Sequence, residues 1–180
     1  MSNAKGEDAG SDEAAAGVSQ LQADGYRFIA PVTPAHGDYD GQGHLNNAAV
    51  VRLFDEQRRA YIFSGIGAWW PREIGEQRYV VAARELHVLY ESEGHPGERY
   101  VGGMKYVRVE GKATIAEQRI VEVDAGRAVA RAWIVHLLVQ DGRVVEWPTH
   151  YIDAVAEIEG QLIPVRPPRR DRRWGPPDSP

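Results

Sequence analysis

No cysteine occurs among the 180 residues. That absence removes disulfide frameworks, thiolate zinc sites, redox dithiols and cysteine nucleophiles together, so any nucleophile must be oxygen or nitrogen. An excess of positive charge is missing too. Twenty-one Lys and Arg face 26 Asp and Glu, for a formal charge of −5, whereas a dedicated nucleic-acid binder offers a basic stripe to phosphates. The longest apolar run, residues 128–139, is broken by Arg131 and His136. No basic start leads into an apolar stretch, so export and membrane spanning lack support and a cytoplasmic location is expected. Serine is sparse: between residues 25 and 160 only Ser64 and Ser92 occur, and Phe63-Ser64-Gly65 lacks the nucleophile-elbow pattern of a serine hydrolase.

What is present fits one domain with a real core, since 43% of the residues are hydrophobic. The charge is uneven. Residues 1–24 carry five acids against Lys5, are rich in Ala, Gly and Ser, and have no sustained apolar period; they read as a disordered lead-in. Residues 161–180 read as a Pro/Arg-rich tail. From Pro164 on, six prolines and five arginines forbid regular structure, although the arginines at 169–173 suit an acidic surface or partner. The domain then spans residues 25–160.

Within it, residues 26–33 read as a strand, and residues 34–45 as a loop rich in Gly and Asp. A helix follows, capped by Asn46 or Asn47. Ala48, Val51, Phe54, Arg58 and Tyr61 share its apolar side with Val50, Leu53 and Gln57 beside them, and Gly65 and Gly67 end it. The period then changes. Residues 79–90, 99–109, 112–124, 127–140 and 143–146 are rich in Val, Ile, Tyr and Ala, with hairpin signals at Glu110-Gly111, Ala125-Gly126 and Asp141-Gly142. In the strand from Arg127, Ala128, Ala130 and Ala132 form a small-residue face suited to lying close to a helix. A short helix is expected over 151–159. One strand, one long helix and a meander make an α+β pattern rather than an alternating parallel one. Gly65-Ile-Gly67-Ala also lacks the third glycine of a dinucleotide fingerprint.

The densest polar cluster, His36-Gly-Asp38-Tyr-Asp40-Gly-Gln-Gly43-His44-Leu-Asn46-Asn47, lies immediately before the long helix. A helix start has free N–H groups and the positive end of the dipole, which favour an anion or a developing oxyanion. A carboxylate beside it can attack a carbonyl, or deprotonate water for that attack. Other readings fit less well. A calcium loop from Asp38 would place Ala49 at the twelfth position, where a bidentate carboxylate is required. The spacing of His36, Asp38, Asp40 and His44 matches no metal motif, so no metal is expected. Turn and cap formation alone accounts for many such Asp, Asn and Gly clusters. His87, His95, His136 and His150 read as structural or surface histidines, and the tryptophans as core or pocket wall.

The run Asp38-Tyr-Asp40-Gly-Gln-Gly43-His44-Leu-Asn46-Asn47, followed by Leu53-Phe54-Asp55-Glu56-Gln57-Arg58, resembles the signature of hot-dog-fold acyl-CoA thioesterases of the 4-hydroxybenzoyl-CoA thioesterase type. In that signature an Asp-x-Asp-x-x-Gly-His-x-Asn-Asn loop leads into a helix with an acid-acid-x-Arg segment. The order of the strands and the turn His95-Pro96-Gly97-Glu98 extend the likeness over roughly residues 25–158.

The resemblance implies an antiparallel sheet of five or six strands wrapped around one long central helix. It also implies a homodimer or dimer of dimers with active sites where chains meet. Hydrolysis of an acyl-CoA to free acid and coenzyme A would use Asp40 as nucleophile or general base, and the backbone N–H of Asn47 as oxyanion donor. Asp38 would support the loop, His44 and Asn46 would orient it or line the pocket, and Asp55 and Arg58 would serve substrate binding. Coenzyme A enters only as part of the substrate, with no other cofactor, nucleic acid or membrane involved. Asp40 must then face a pocket that the first helix amides also face. Lys105, Arg108 and Arg84 are candidates for the coenzyme A phosphates, and residues 67–72 for narrowing the acyl pocket. The same fold also suits an acyl carrier protein thioesterase, a non-catalytic acyl-CoA-binding module, or a hydratase using His44 with Asp40.

Overall fold

The computed structural model describes residues 15–66 and 79–168. The segment 67–72 and the arginines at 169–173 lie outside the described residues. Helix α2, Asn47–Tyr61, starts at the N-cap Asn46, whose side chain accepts the Ala49 N–H. Its Ala49, Val50, Leu53, Phe54, Gln57 and Tyr61 are buried. Ala48 and Val51 are exposed, so the buried stripe is turned by about one residue from the side that the spacing suggests. The helix closes in a wide turn, Ile62–Ile66, with i→i+5 character.

The strands are β1 (Phe28–Val32), β2 (Tyr79–Tyr90), β3 (Tyr100–Glu110), β4 (Ala113–Glu122), β5 (Ala128–Gln140), β6 (Arg143–Val145) and β7 (Val165–Arg166). They form a seven-stranded sheet in the order β1-β3-β4-β5-β2, with β6 on β5 and β7 on β3. All pairs are antiparallel except β3 with β7. Asp141 and Gly142, both at positive φ, make the two-residue turn between β5 and β6, the conformation that the Asp-Gly signal demands.

The sheet curls around α2. Ala130 and Ala132, both fully buried, meet Val50, Leu53 and Phe54 of the helix with Tyr100 and Ile120. The small-residue face of β5 therefore allows the close approach expected of it. Gly102 serves the same end on β3: a Cβ there would come within 2.1 Å of Gln57 Nε2. Helix α3, Thr149–Glu159, packs its Tyr151, Ala154 and Val155 with Tyr61, Tyr106 and Leu138 in a second cluster. Glu159 Oε1 accepts from Tyr61 Oη at 2.6 Å and from the Tyr106 N–H at 2.9 Å. β1 pairs with β3 no further than Met104, so the carboxylate satisfies an amide that β1 does not reach.

Two differences from the sequence reading lie at the ends. Residues 16–23, which composition places in a disordered lead-in, form helix α1, Ala16–Ala23. Leu21 is fully buried with Tyr26 and Val121, and the Gly17 N–H donates to Val123 O at 2.8 Å. One leucine and one glycine anchor the helix; its hydrophobic face is too narrow to show as a period. The tail also contributes an unexpected two-residue strand, β7: Pro164 O accepts from the Val109 N–H at 2.9 Å, and Arg166 O from the Gly111 N–H at 3.1 Å. Proline blocks donation, not acceptance.

Candidate active site

The loop before α2 is held by its own backbone. The Asp40 N–H donates to His44 O at 2.8 Å and the Gly43 N–H to Asp40 O at 3.0 Å, closing a tight loop between Tyr39 and Leu45. The Leu45 N–H then reaches Gly94 O at 2.8 Å, which ties the loop to the turn after β2. Asn46 does three things at once. Its N–H and its Nδ2 both donate to Asp38 O, at 2.9 and 2.8 Å, while its Oδ1 caps α2. The Asp38 carboxylate accepts from the Ala35 N–H and from Arg52, which also pairs with Glu56. Asp38 is thus a loop-shaping residue, clamped to α2 by a cation one turn into the helix.

Asp40 is exposed in the single chain. Its Oδ1 accepts the Gln42 N–H at 2.8 Å and the His44 N–H at 3.0 Å. These amides favour the charged form and hold its pKa below the ordinary aspartate range. The expectation that Asp40 faces a pocket is therefore not met by one chain alone: the carboxylate folds back onto its own loop and opens to solvent. Asn47 and Ala48 open α2 and are exposed. Their N–H groups find no acceptor among the described residues. His44 stacks edge-on to His95 with ring centroids 5.1 Å apart, and its Nε2 lies 3.4 Å from Glu93. Tyr90 on β2 donates to Asn47 O at 3.4 Å, which brings the edge strand alongside the helix start.

Asp55 and Arg58 pair with each other, and Asp55 also meets Arg59 at 3.5 Å. Asp55 is solvent-facing, whereas Arg58 turns inward, and its Nε is buried without a partner among the described residues. They lie two to three turns along α2 from Asn47, so the structure does not bring them together with the loop.

Two phosphate candidates are committed elsewhere. Arg108 is buried and donates to Glu110 at 3.0 Å. Lys105 donates to Asp24 O at 2.7 Å and lies 4.3 Å above the Tyr26 ring. Only Arg84 is open to solvent, 3.7 Å from Glu85. Ser64 donates to Tyr61 O at 2.8 Å, a helix-end bond. No group of three or more His, Cys, Asp or Glu among the described residues is arranged for a metal. An open cleft of about 500 Å³ beside the loop is lined by His36, Tyr39, Glu98 and Tyr100 among others, but by none of the candidate residues.

The structure also reveals a cluster that the sequence did not suggest. His136 is fully buried, and neither ring nitrogen has a hydrogen-bond partner among the described residues. Tyr106 lies 5.9 Å away between ring centroids, and its hydroxyl meets that of Tyr151 at 3.0 Å. The only trace in the sequence is a histidine breaking the apolar run of β5.

A model of the thioesterase-like superfamily matches residues 34–157, from the loop through α3. The chain belongs to the thioesterase-like superfamily. Its fold is the hot-dog fold of that superfamily, as three solved structures show. A Thermus thermophilus thioesterase complexed with coenzyme A and Zn superposes with a TM-score of 0.63 at 22% identity, covering 77% of this chain and 98% of the other. A thioesterase superfamily protein from Jannaschia gives 0.65 at 19% identity over 79% and 92%. A 1,4-dihydroxy-2-naphthoyl-CoA thioesterase from Synechocystis gives 0.62 at 13% identity over 72% and 96%. No curated protein matches the chain.

Proposed function

We propose that this thioesterase-like protein hydrolyses an acyl-CoA thioester to the free acid and coenzyme A, with Asp40 as nucleophile or general base. The observation that carries the reading is the loop itself. It delivers an ionised carboxylate seven residues before a helix start whose first two amides are unclaimed among the described residues. In the general-base form, Asp40 takes a proton from water as the oxygen attacks the thioester carbonyl. The carbonyl oxygen becomes an oxyanion held by the Asn47 and Ala48 N–H groups; the C–S bond then breaks and the thiolate takes up the proton. A thioester carbonyl has little resonance stabilisation, so one carboxylate and an oxyanion donor suffice. Asp38, Asn46 and His44 hold the loop in register, and coenzyme A enters as part of the substrate.

The exposure of Asp40 in one chain supports a site completed by a second copy. Among the described residues β2 is the last strand on its side of the sheet, 12 residues long, and Val80, Leu86, Leu89 and Tyr90 on it are exposed. An edge of that length and apolarity calls for a partner. Pairing through it forms a homodimer and brings the second chain beside Asn47, which Tyr90 already touches.

Release of coenzyme A from a panel of aliphatic and aromatic acyl-CoAs, followed with a thiol reagent, tests the activity. Asp40→Asn keeps an oxygen for the loop amides and removes the charge, so turnover falls by about 10²- to 10⁴-fold. Near-normal turnover by this variant overturns the assignment. For the assembly, Leu89→Lys shifts sedimentation from dimer to monomer; a wild-type monomer refutes the shared site.

A further inference from the structure

The fully buried polar cluster around His136 has chemistry that the hydrolysis does not use. His136 on β5 pairs in register with Thr114 on β4 and with Ala83 on β2. All three side chains leave the sheet on the side of α2 and α3. Tyr106 on β3 and Tyr151 on α3 join them through their 3.0 Å hydroxyl contact. Arg58 on α2 is close enough for its charge to act on His136, Tyr106 and Tyr151. Among the described residues both His136 nitrogens and Arg58 Nε are buried without a hydrogen-bond partner, and the Thr114 hydroxyl beside them has only the Tyr106 hydroxyl within reach. Three orphaned polar atoms on two neighbouring side chains have given up their hydration for nothing inside the protein, a state that native folds avoid unless something fills the site.

The position of the cluster indicates what fills it. Ala83, its neighbour on β2, is exposed, so the cluster lies one strand inside the open sheet edge. Along the helix-facing side of β2 the residues Tyr90, Val88, Leu86 and Ala83 form an apolar row, partly or fully open to solvent. That row starts at Tyr90, in contact with Asn47 at the helix start, and ends opposite His136. Arg58 follows Asn47 by 11 residues, which is about 16 Å of helix. A track of this kind fits a chain attached at the helix start and ending at the cluster.

We infer that Arg58, Thr114 and His136 are specificity residues that hydrogen-bond an uncharged oxygen, a hydroxyl or a carbonyl, at the far end of the acyl group. The inference rests on the acyl-CoA reading above and adds the substrate class: oxygen-bearing acyl groups in place of plain hydrocarbon. Two features select an uncharged group. Arg58 already faces Asp55, and burial keeps His136 neutral, so no free positive charge awaits a carboxylate. The donors are the Arg58 Nε–H, one His136 N–H and the Thr114 hydroxyl; the acceptors are the other His136 nitrogen and Thr114 Oγ1.

The test compares non-hydrolysable S-(2-oxoalkyl)-CoA ligands of about eight to sixteen carbons, with and without a terminal hydroxyl, by titration calorimetry on the full chain. At the matching length the hydroxylated ligand binds at least about tenfold more tightly. Thr114→Val, a swap of equal shape, and His136→Phe bring that ratio to about one. Equal affinity of the two ligands for the wild type at every length overturns the inference, and so does a preference that both variants retain. A cluster holding only ordered water gives the equal-affinity result. Hydroxyl preference in binding without turnover of any acyl-CoA sinks the hydrolysis while supporting this site; turnover with no preference does the reverse.

Discussion

His136 gives a stability signal that can be worked out in advance. An exposed histidine titrates near 6.5, but burial, with the nearby Arg58 charge adding to it, pushes this one down to about 3. Between those values the unfolded chain binds a proton at this position and the folded chain does not. Acidification therefore favours unfolding. The contribution of His136 is fully present above pH 6.5 and is lost as pH falls, by about 1.4 kcal/mol for each pH unit down to about pH 3. From pH 6.5 to pH 4.5 the loss is about 3 kcal/mol, a large share of a typical domain's stability. Glu159 acts in the opposite sense. Burial raises its pKa, so its protonation restores stability as pH falls, and the wild-type curve mixes the two. Subtraction isolates the histidine: urea unfolding of wild type and His136→Phe at pH 7, 6, 5 and 4.5 gives a stability difference that moves in favour of the variant with decreasing pH. Parallel curves refute the reasoning, because they mean that the imidazole takes up its proton without unfolding the chain.

Three further outcomes follow from the geometry. Asn46→Ala loses the cap of α2 and the Nδ2 bond to Asp38 O, about 1 kcal/mol each, and lowers the melting temperature by about 4–8 °C. Asn46→Ser keeps the cap and loses about half as much, and equal losses in thermal melts contradict the double role. The rate of thioester hydrolysis by the wild type holds as pH drops through the usual aspartate range and declines only below it, because the loop amides keep Asp40 charged; an acid limb near pH 6 in kcat/KM excludes Asp40 as the titrating group. Leu21→Ala costs about 2–3 kcal/mol through the cavity left beneath α1, and calorimetry with an unchanged melting temperature shows that α1 does not contribute to the folded unit.

The legible parts of this chain were those with a local physical cause. Hairpin turns followed from Asp-Gly and Ala-Gly pairs, the start of α2 from its asparagines, and the β5 face from three alternating alanines. The hot-dog fold followed from the loop motif and the strand order. What escaped depended on distant neighbours. Helix α1 rests on Leu21 finding Tyr26 and Val121, which no periodicity announces. Lys105 and Arg108 read as candidates for the coenzyme A phosphates because their sequence context cannot show Tyr26 lying beneath one or Glu110 paired with the other. The role of Asn46 as a link from Asp38 to α2, and the isolation of His136, are likewise products of packing. The solvent-facing carboxylate of Asp40 is a property of one chain, while the motif describes a site that the resemblance places between two.

The Glu159 carboxylate has a practical consequence for shortening the protein. The family match ends at residue 157, a natural place to cut a minimal version. Such a cut discards the one oxygen that holds the Tyr61 hydroxyl and the Tyr106 amide together, orphaning a buried donor on the central helix and another on the sheet. Trimmed domains that end there should be soft at the junction of three elements, whereas those extended past Gly160 keep the latch.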